Sequence, residues 1–438
     1  MIAQIIVDVS AYPVDRPFDY LVPLELEELV EVGCRVKVPF GPRNVLGFIT
    51  ALKDETDVPV DKLKAIAQLL DLEPVLTEEM LKLAKWMTVH TLCYEIDALQ
   101  VMLPSALRAK YEKSIKRTTE LSNLPAELQA LFGQKEVIPY KKVEAADLLK
   151  PLKYCMKQGL VEQRTIVKQQ GQVKAVRKVK VLGDVPQLRE ITTTIPKRAK
   201  KQLQVAEWMV EHVGEEFIPQ KLCETLNITP AVLNAVIEKG AASYFQEEIY
   251  RNPFSKDVHK SVALQLTDEQ DVALYQILQS MKSKMATTFL LHGVTGSGKT
   301  EVYLQAIQEA INHGQEAIVL VPEISLTPQM TERFRARFGD LVAVMHSGLS
   351  KGEKYDEWRK IGRGEVKVAV GARSAIFAPF TNLGLIILDE EHESTYKQED
   401  TPRYHARDVA IWRSQFHQCP VILGSATPSL ESFARAKK

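Results

Sequence analysis

One stretch constrains this chain more than any other: Phe289-Leu-Leu-His-Gly-Val-Thr-Gly-Ser-Gly-Lys-Thr300. A short apolar run ends at Gly293, a glycine-rich turn follows, and Lys299 and Thr300 open a helix-like sequence. Gly293, Gly298, Lys299 and Thr300 fit G-x-x-x-x-G-K-[ST], the spacing of a phosphate-cradling loop. Glycine lets the backbone turn with its N–H groups inward, so that the loop Val294, Thr295, Gly296, Ser297 and Gly298 can hold phosphate oxygens. The following helix adds the positive end of its dipole. Lys299 can reach the β and γ phosphates, and the Thr300 hydroxyl can ligand Mg²⁺. ATP and Mg²⁺ are therefore the expected cofactors.

The surroundings agree. Residues 259–438 alternate strand and helix, with strands predicted at 288–292, 317–321, 342–345, 366–370, 385–388 and 421–423. The clearest helix runs from Lys299 to His313 with Gly314 as its stop, and another begins at Thr327-Pro328. Such alternation predicts a parallel sheet covered by helices. Leu385-Ile-Ile-Leu-Asp-Glu-Glu-His392 is the second decisive stretch, a buried strand with acids where it emerges. Asp389 there can hold the Mg²⁺ that bridges nucleotide phosphates, and Glu390 is placed to polarise an attacking water. Gln270 can read an adenine edge with its amide. Pro322–Thr327 and Gly371–Ser374, with Arg373, suit loops that track a phosphate backbone. Tyr396, Arg403, Tyr404 and Arg407 put aromatics and bases just after the acidic strand, where they can stack nucleobases. Gly424-Ser-Ala-Thr427 can link nucleotide state to DNA state. Taken singly, each of these loops also reads as an ordinary sheet-end loop.

At 438 residues the chain predicts two to four domains. Its 56 Lys/Arg balance 56 Asp/Glu, but unevenly. Ser105 to Lys201 holds 22 Lys/Arg against 9 Asp/Glu, an excess of 13 that suits nucleic acid. Five scattered cysteines without a C-x-x-C pair give no zinc site and suit a reducing compartment. The first residues lack the pattern of a signal peptide, and no apolar run is long enough to predict a membrane span.

Residues 1–104 read as β-rich, with strands at 2–9, 35–38 and 45–52, turn signals that include Pro13 and Gly41-Pro42, and a helix capped by Thr77. Phe18-Asp19-Tyr20 falls between the likely strands, and Val38-Pro-Phe-Gly41 precedes Arg43. On residue chemistry alone, edge aromatics of a small barrel are favoured here over a nucleotide pocket. In the basic region 105–258, helical patterns at 126–132 and 143–152 precede helices at 202–213, 219–226 and 230–239, the last capped by Thr229 with Pro230 at its first position. The strand-like 242–250 completes a winged-helix-like pattern, and 154–167 suits the end of a similar first unit.

The order of motifs resembles one family. Gly293–Tyr303, Val321–Gln329, His346–Leu349, Asp389–His392, Tyr396-Lys-Gln, Arg403–Asp408 and Gly424–Ser429 look like those of the PriA family, bacterial primosomal replication-restart DNA helicases of superfamily 2. The resemblance implies a multidomain α/β protein: a small β-rich 3′-end DNA-binding domain (1–104), a basic winged-helix-like α+β middle (105–258) and a RecA-like parallel-sheet ATPase lobe (259–438). It implies an ATP-dependent 3′→5′ helicase that recognises stalled or branched forks and initiates primosome assembly. Phe18, Asp19, Tyr20, Gly41 and Lys64 match the pocket for a nascent 3′ end, which reverses the barrel-edge reading. Tyr396 and Arg403–Arg407 match an aromatic-rich loop coupling DNA to ATP hydrolysis. Implied partners are branched and single-stranded DNA with a 3′ end, primosome proteins and single-stranded-DNA-binding protein, in the bacterial cytoplasm at the nucleoid, with no membrane. The family's second lobe with its arginine finger, its zinc-binding insertion and its C-terminal domain are expected beyond Lys438, so these 438 residues are expected to bind DNA and nucleotide with little turnover. A fork-binding scaffold with a merely regulatory P-loop is the reading from another class. A metabolic P-loop kinase is disfavoured by the basic middle region.

Overall fold

The computed structural model describes residues 1–11, 14–41, 43–104, 107, 111–167, 175–248 and 260–437. The expected turn residues Pro13 and Pro42 lie outside these, as do positions 249–250 of the last winged-helix strand. The chain forms two compact units, Met1–Arg108 with Asn252–Lys438, and Ala109–Arg251.

The first unit opens with strands β1 (Ile2–Val7), β2 (Phe18–Leu21), β3 (Arg35–Phe40), β4 (Arg43–Lys53) and β5 (Gln68–Leu69), ordered β2-β1-β4-β3-β5. The pairings are antiparallel. Ile5, Ile6, Val36, Val38, Phe48 and Ile49 form its core. Leu21 N–H donates to Lys64 O, and Ile66 N–H to Leu21 O, so the two sheet edges meet as in a small barrel. Phe18-Asp19-Tyr20 is itself the edge strand β2 rather than a link between strands, because its alternating side chains pair in register with β1. Helices α1 (Glu78–Thr91) and α2 (Glu95–Met102) follow. Thr77 caps α1, its hydroxyl accepting from Met80 N–H at 3.2 Å.

The second unit repeats one topology. Its first half runs β6 (Tyr111–Arg117), α3 (Ala126–Phe132), β7 (Val137–Pro139), α4 (Tyr140–Ala145), α5 (Leu149–Lys157) and β8 (Val161–Val167), with sheet order β7-β6-β8. Its second half runs β9 (Ala175–Val181), α6 (Val185–Thr193), α7 (Lys200–Glu211), β10 (Glu216–Phe217), α8 (Pro219–Thr225), α9 (Pro230–Ile237) and β11 (Ala242–Glu248), with sheet order β10-β9-β11. Each half is winged-helix-like, and the second inserts one extra helix. The helix expected over 143–152 is two helices, because Asp147 turns the chain at φ 57° between α4 and α5. Pro230 sits in the first turn of α9, but Thr229 makes no side-chain cap bond there.

Back in the first unit, β12 (Thr288–His292), β13 (Glu316–Leu320), β14 (Val342–Met345), β15 (Val368–Gly371), β16 (Leu383–Leu388) and β17 (Val421–Ser425) form a parallel sheet, ordered β12-β17-β16-β13-β15-β14. Helices α10 (Asp268–Lys282), α11 (Lys299–Asn312), α12 (Pro328–Phe338), α13 (Lys351–Gly362), α14 (Ala406–His417) and α15 (Leu430–Ala436) accompany it. β13 and β16 are buried along their whole length, as apolar strands covered on both faces must be. The result is a RecA-like lobe.

One joint ties the N-terminal sheet domain to this lobe. Arg413 on α14, 1 % exposed, donates from Nε and Nη2 to the two Glu79 oxygens of α1 at 2.6 and 2.8 Å. Its Nη1 donates to Ile376 O and Ala378 O at 2.7 and 3.0 Å. His417 Nε2 lies 3.0 Å from Glu79, near enough for ionic attraction but out of line for a directional hydrogen bond. Trp86 and Trp412 pack beside the joint with ring centres 6.2 Å apart.

Candidate functional site

The carboxyl ends of β12, β17 and β16 are neighbours, and the two decisive stretches leave the sheet there. After β12, Gly296 and Gly298 both take φ +82°, a conformation that L side chains rarely adopt. Lys299 begins α11 and folds inward, its Nζ donating to Gly293 O at 2.6 Å and Val294 O at 3.3 Å. Thr300 follows at the same helix start.

Asp389 follows β16. The Tyr303 hydroxyl, buried on α11, donates to Asp389 Oδ1 at 3.0 Å, so the helix that begins at Lys299 itself holds the acid. Gly424 at the end of β17 makes this reach feasible, since a Cβ there would overlap the Tyr303 hydroxyl. Burial raises the Asp389 carboxyl above its usual value and the Glu390 charge raises it further, against the opposing pull of Tyr303 and Lys299. Glu390 sits at φ 47°, an uncommon backbone for a side chain of its size and a common one at functional sites. His392 Nδ1 lies 3.7 Å from Glu390 Oε2 and 2.7 Å from Ser425 Oγ, so the acidic turn touches the end of β17.

The donor set fits a magnesium-nucleotide. Lys299 and Thr300 at the start of α11 and Asp389 and Glu390 after β16 lie at the same carboxyl end of the sheet, and oxygen ligands suit a hard divalent cation. Among the described residues, no group of three or more His, Cys, Asp or Glu is arranged to hold a metal without such a ligand's own oxygens.

The raised Asp389 value carries a test. A folded-state value above the unfolded one favours folding most below the ordinary carboxyl range, and that contribution is lost as pH rises through the raised value. At neutral pH the ionised acid thus works against the fold. Asp389→Asn keeps an acceptor for Tyr303 and removes the charge. It is expected to raise the thermal midpoint by about 2 °C in magnesium-free buffer. A lowered midpoint would count against this assignment.

Other expected site residues are placed differently. Gln270 is engaged at both ends: its Oε1 accepts from Thr267 N–H at 3.0 Å in a capping box, and its Nε2 donates to Ser297 O at 2.8 Å. It braces the loop, and its amide must leave these partners to read an adenine. Tyr396 and Tyr404 are 1 % and 2 % exposed, so neither ring offers an open stacking face. The Tyr396 hydroxyl donates to Leu320 O and Asp389 O at 3.0 and 2.6 Å, tying two strand ends together. Tyr404 packs edge-on against Phe377 under the Arg373 guanidinium, which also donates to Lys397 O at 2.7 Å. Arg407 is committed to Glu391, Ser429 and Ser432, whereas Arg403 is exposed.

In the N-terminal domain, Phe18 packs on Phe40, next to Gly41, with ring centres 5.3 Å apart. The Asp19 carboxylate accepts from Gln4 Nε2 at 3.3 Å and Thr56 Oγ1 at 2.5 Å. Tyr20 is buried, its hydroxyl donating to Pro39 O, while Lys64 is exposed beside β2.

A cavity of about 890 Å³ lies at the ends of β13, β14 and β15, lined by Glu323, His346, Lys354, Trp358, Arg373 and Lys397 among others. Sequence reasoning missed Tyr303 and Glu391. Glu391, 1 % exposed, accepts from Ser429 N–H at 2.7 Å and Ser432 Oγ at 2.8 Å, fastening the loop after β17. Burial alone would raise it, but these donors and Arg407 hold it below the usual range. Three acids in a row carry no signal of which one turns inward.

Comparison with known proteins adds the following. Residues 4–104 match the 3′ DNA-binding domain (3′BD) model of PriA, and residues 263–436 match the DEAD/DEAH box helicase model. The replication restart protein PriA of Bacillus subtilis (strain 168) is 48 % identical over 438 residues, 100 % of this chain and 54 % of that protein. That of Synechocystis sp. is 36 % identical, over 97 % of this chain and 52 % of that protein. That of Haemophilus influenzae is 33 % identical, over 96 % and 49 %. The chain thus spans about half the length of the curated relatives it matches. Among solved structures, RecG bound to a three-way DNA junction matches at 27 % identity and TM-score 0.31, over 40 % of this chain and 23 % of that one. The UvsW helicase from bacteriophage T4 matches at 16 % and 0.29, over 47 % and 68 %. No helix among the described residues is long and apolar enough to cross a membrane.

Proposed function

Over the half of those proteins that it spans, the chain belongs to the PriA family, and from this membership we propose that it is the fork-recognising and nucleotide-binding part of an ATP-dependent 3′→5′ replication-restart helicase. One observation carries the motor reading: Tyr303, on the helix that begins at Lys299, donates to Asp389 at the carboxyl end of β16, so the loop after β12 and the acidic turn are held at the same end of the sheet. In this reading Lys299 and the loop Gly293–Gly298 grip the phosphates of ATP. Thr300 and Asp389 hold Mg²⁺, which when bound neutralises phosphate charge. Glu390 orients the attacking water, with His392 and Ser425 steadying it. Arg373 and Arg403 contact the DNA strand, and Tyr396, Tyr404 and Arg407 shape that path from within. Little turnover is expected from these 438 residues alone, and the partners are forked DNA, primosome proteins and single-stranded-DNA-binding protein.

The N-terminal domain is proposed to hold a nascent 3′ end at Phe18, Asp19, Tyr20, Gly41 and Lys64, with the Asp19 carboxylate accepting from the terminal hydroxyl. The test is fork binding with a free and a blocked 3′ hydroxyl. The unaltered chain is expected to prefer the free end, and Asp19→Ala to erase most of a preference of roughly tenfold, about one charge-assisted hydrogen bond. Equal preference in both proteins would reject the assignment.

A further inference from the structure

We propose that the first of the two winged-helix-like repeats in Ala109–Arg251 grips duplex DNA through the exposed face of α5, and that the corresponding helix of the second repeat does not. The inference rests on the DNA-binding reading above and extends it to a surface. In a helix-turn-helix pair the second helix is the one presented to the groove. By chain order and sheet order that place belongs to α5 in the first repeat and α9 in the second.

The two helices differ in chemistry. α5 reads Leu-Lys-Pro-Leu-Lys-Tyr-Cys-Met-Lys, while α9 reads Pro-Ala-Val-Leu-Asn-Ala-Val-Ile with no charged residue. On α5, Lys150, Tyr154 and Lys157 recur at i, i+4 and i+7, which places them on one helix face. All three are exposed, Tyr154 by 62 %. Leu152 and Cys155 are fully buried on the other side, so the basic face is turned outward by the core itself. Lysines flanking a tyrosine suit phosphate and sugar contacts. Lys141 and Lys142 on α4 add two more exposed cations.

The stretch of sequence that carries α8 and α9 has the opposite sign. Residues 202–248 hold 2 Lys/Arg against 8 Asp/Glu, which repels a phosphate backbone. Of the second repeat's basic residues, Lys197, Arg198, Lys200 and Lys201 lie ahead of and at the start of α7, and Lys201 Nζ is spent on Asn227 O at 2.8 Å in the turn between α8 and α9, leaving α9 itself without a cation. One topology used twice thus presents one face suited to DNA and one that is not.

The experiment is a salt titration of blunt duplex DNA binding by the whole chain, which leaves the 3′-end site without a recessed terminus. Lys150→Gln with Lys157→Gln is expected to lower the slope of log K against log salt by about 2, at about 0.9 per phosphate contact. Tyr154→Ala is expected to weaken binding roughly fivefold with little change of slope. Lys197→Gln with Arg198→Gln is expected to leave the slope unchanged, and circular dichroism verifies that each variant is folded. An unaltered slope in the α5 variant, or a loss confined to the Lys197 and Arg198 variant, overturns the proposal while the DNA-binding reading stands. If the unaltered chain binds no DNA at any salt, both fall.

Discussion

Arg413→Ala is expected to destabilise the unit that contains the N-terminal domain and the helicase lobe by roughly 3–5 kcal/mol, the usual result of stripping one partner from a buried ion pair. The Glu79 carboxylate would remain inside without its bidentate partner, and the carbonyls of Ile376 and Ala378 would lose their donor. Burial alone would raise the Glu79 carboxyl, but the Arg413 charge and hydrogen bonds, with His417 beside them, bring it from 4.5 down to about 2. A lowered folded-state value gives stability that is present above the unfolded value and lost as pH falls through the folded one. The contribution, about 3 kcal/mol by linkage, should therefore fade between roughly pH 4.5 and pH 2 and be absent from the variant. Denaturant midpoints across that range measure it. A loss below about 1 kcal/mol at neutral pH would mean that the joint is weak. Replacing both partners with apolar residues should cost far less than Arg413→Ala, because the buried charge goes with its counter-charge.

Lys299→Ala is expected to cut ATP hydrolysis by roughly 10³-fold, the scale of losing a preorganised charge at a transferring phosphoryl group. The measurement belongs in a chain of the relatives' full length, with DNA present. Binding to forks should persist, since Asp19, Lys64 and α5 lie on other elements. If unwinding and replication restart were unaffected by the change, the nucleotide site would be regulatory and the protein a scaffold.

Much of this was legible in the chain because the signals were local. The alternation of apolar runs with helical stretches announced the parallel sheet, and Thr77 and Thr327 announced their helices by cap chemistry. That the loop after β12 and the acids after β16 leave the same end of the sheet was inferable from the order of apolar strands. What failed to show was direction. Tyr396, Tyr404 and Arg407 have the composition of a DNA-contacting loop, but the fold buries both rings: Tyr396 and Arg407 hold the acidic turn and Tyr404 packs against Phe377 beneath Arg373, and no local pattern shows that burial. Gln270 likewise looked free to meet a base, whereas its capping box with Thr267 fixes it beside Ser297. Glu79 lies in the first turn of α1, where an acid ordinarily answers the helix dipole. Its real partner, Arg413, lies more than three hundred residues away and only the folded chain brings them together.

That long-range weld has a mechanical meaning. The N-terminal sheet domain and the parallel-sheet lobe are mounted on a common chassis, with Arg413 as the rivet. Should a 3′ terminus lodge near Asp19, as proposed, while the lobe moves along a strand, the slack would have to gather as a loop of nucleic acid and not as bending at this joint.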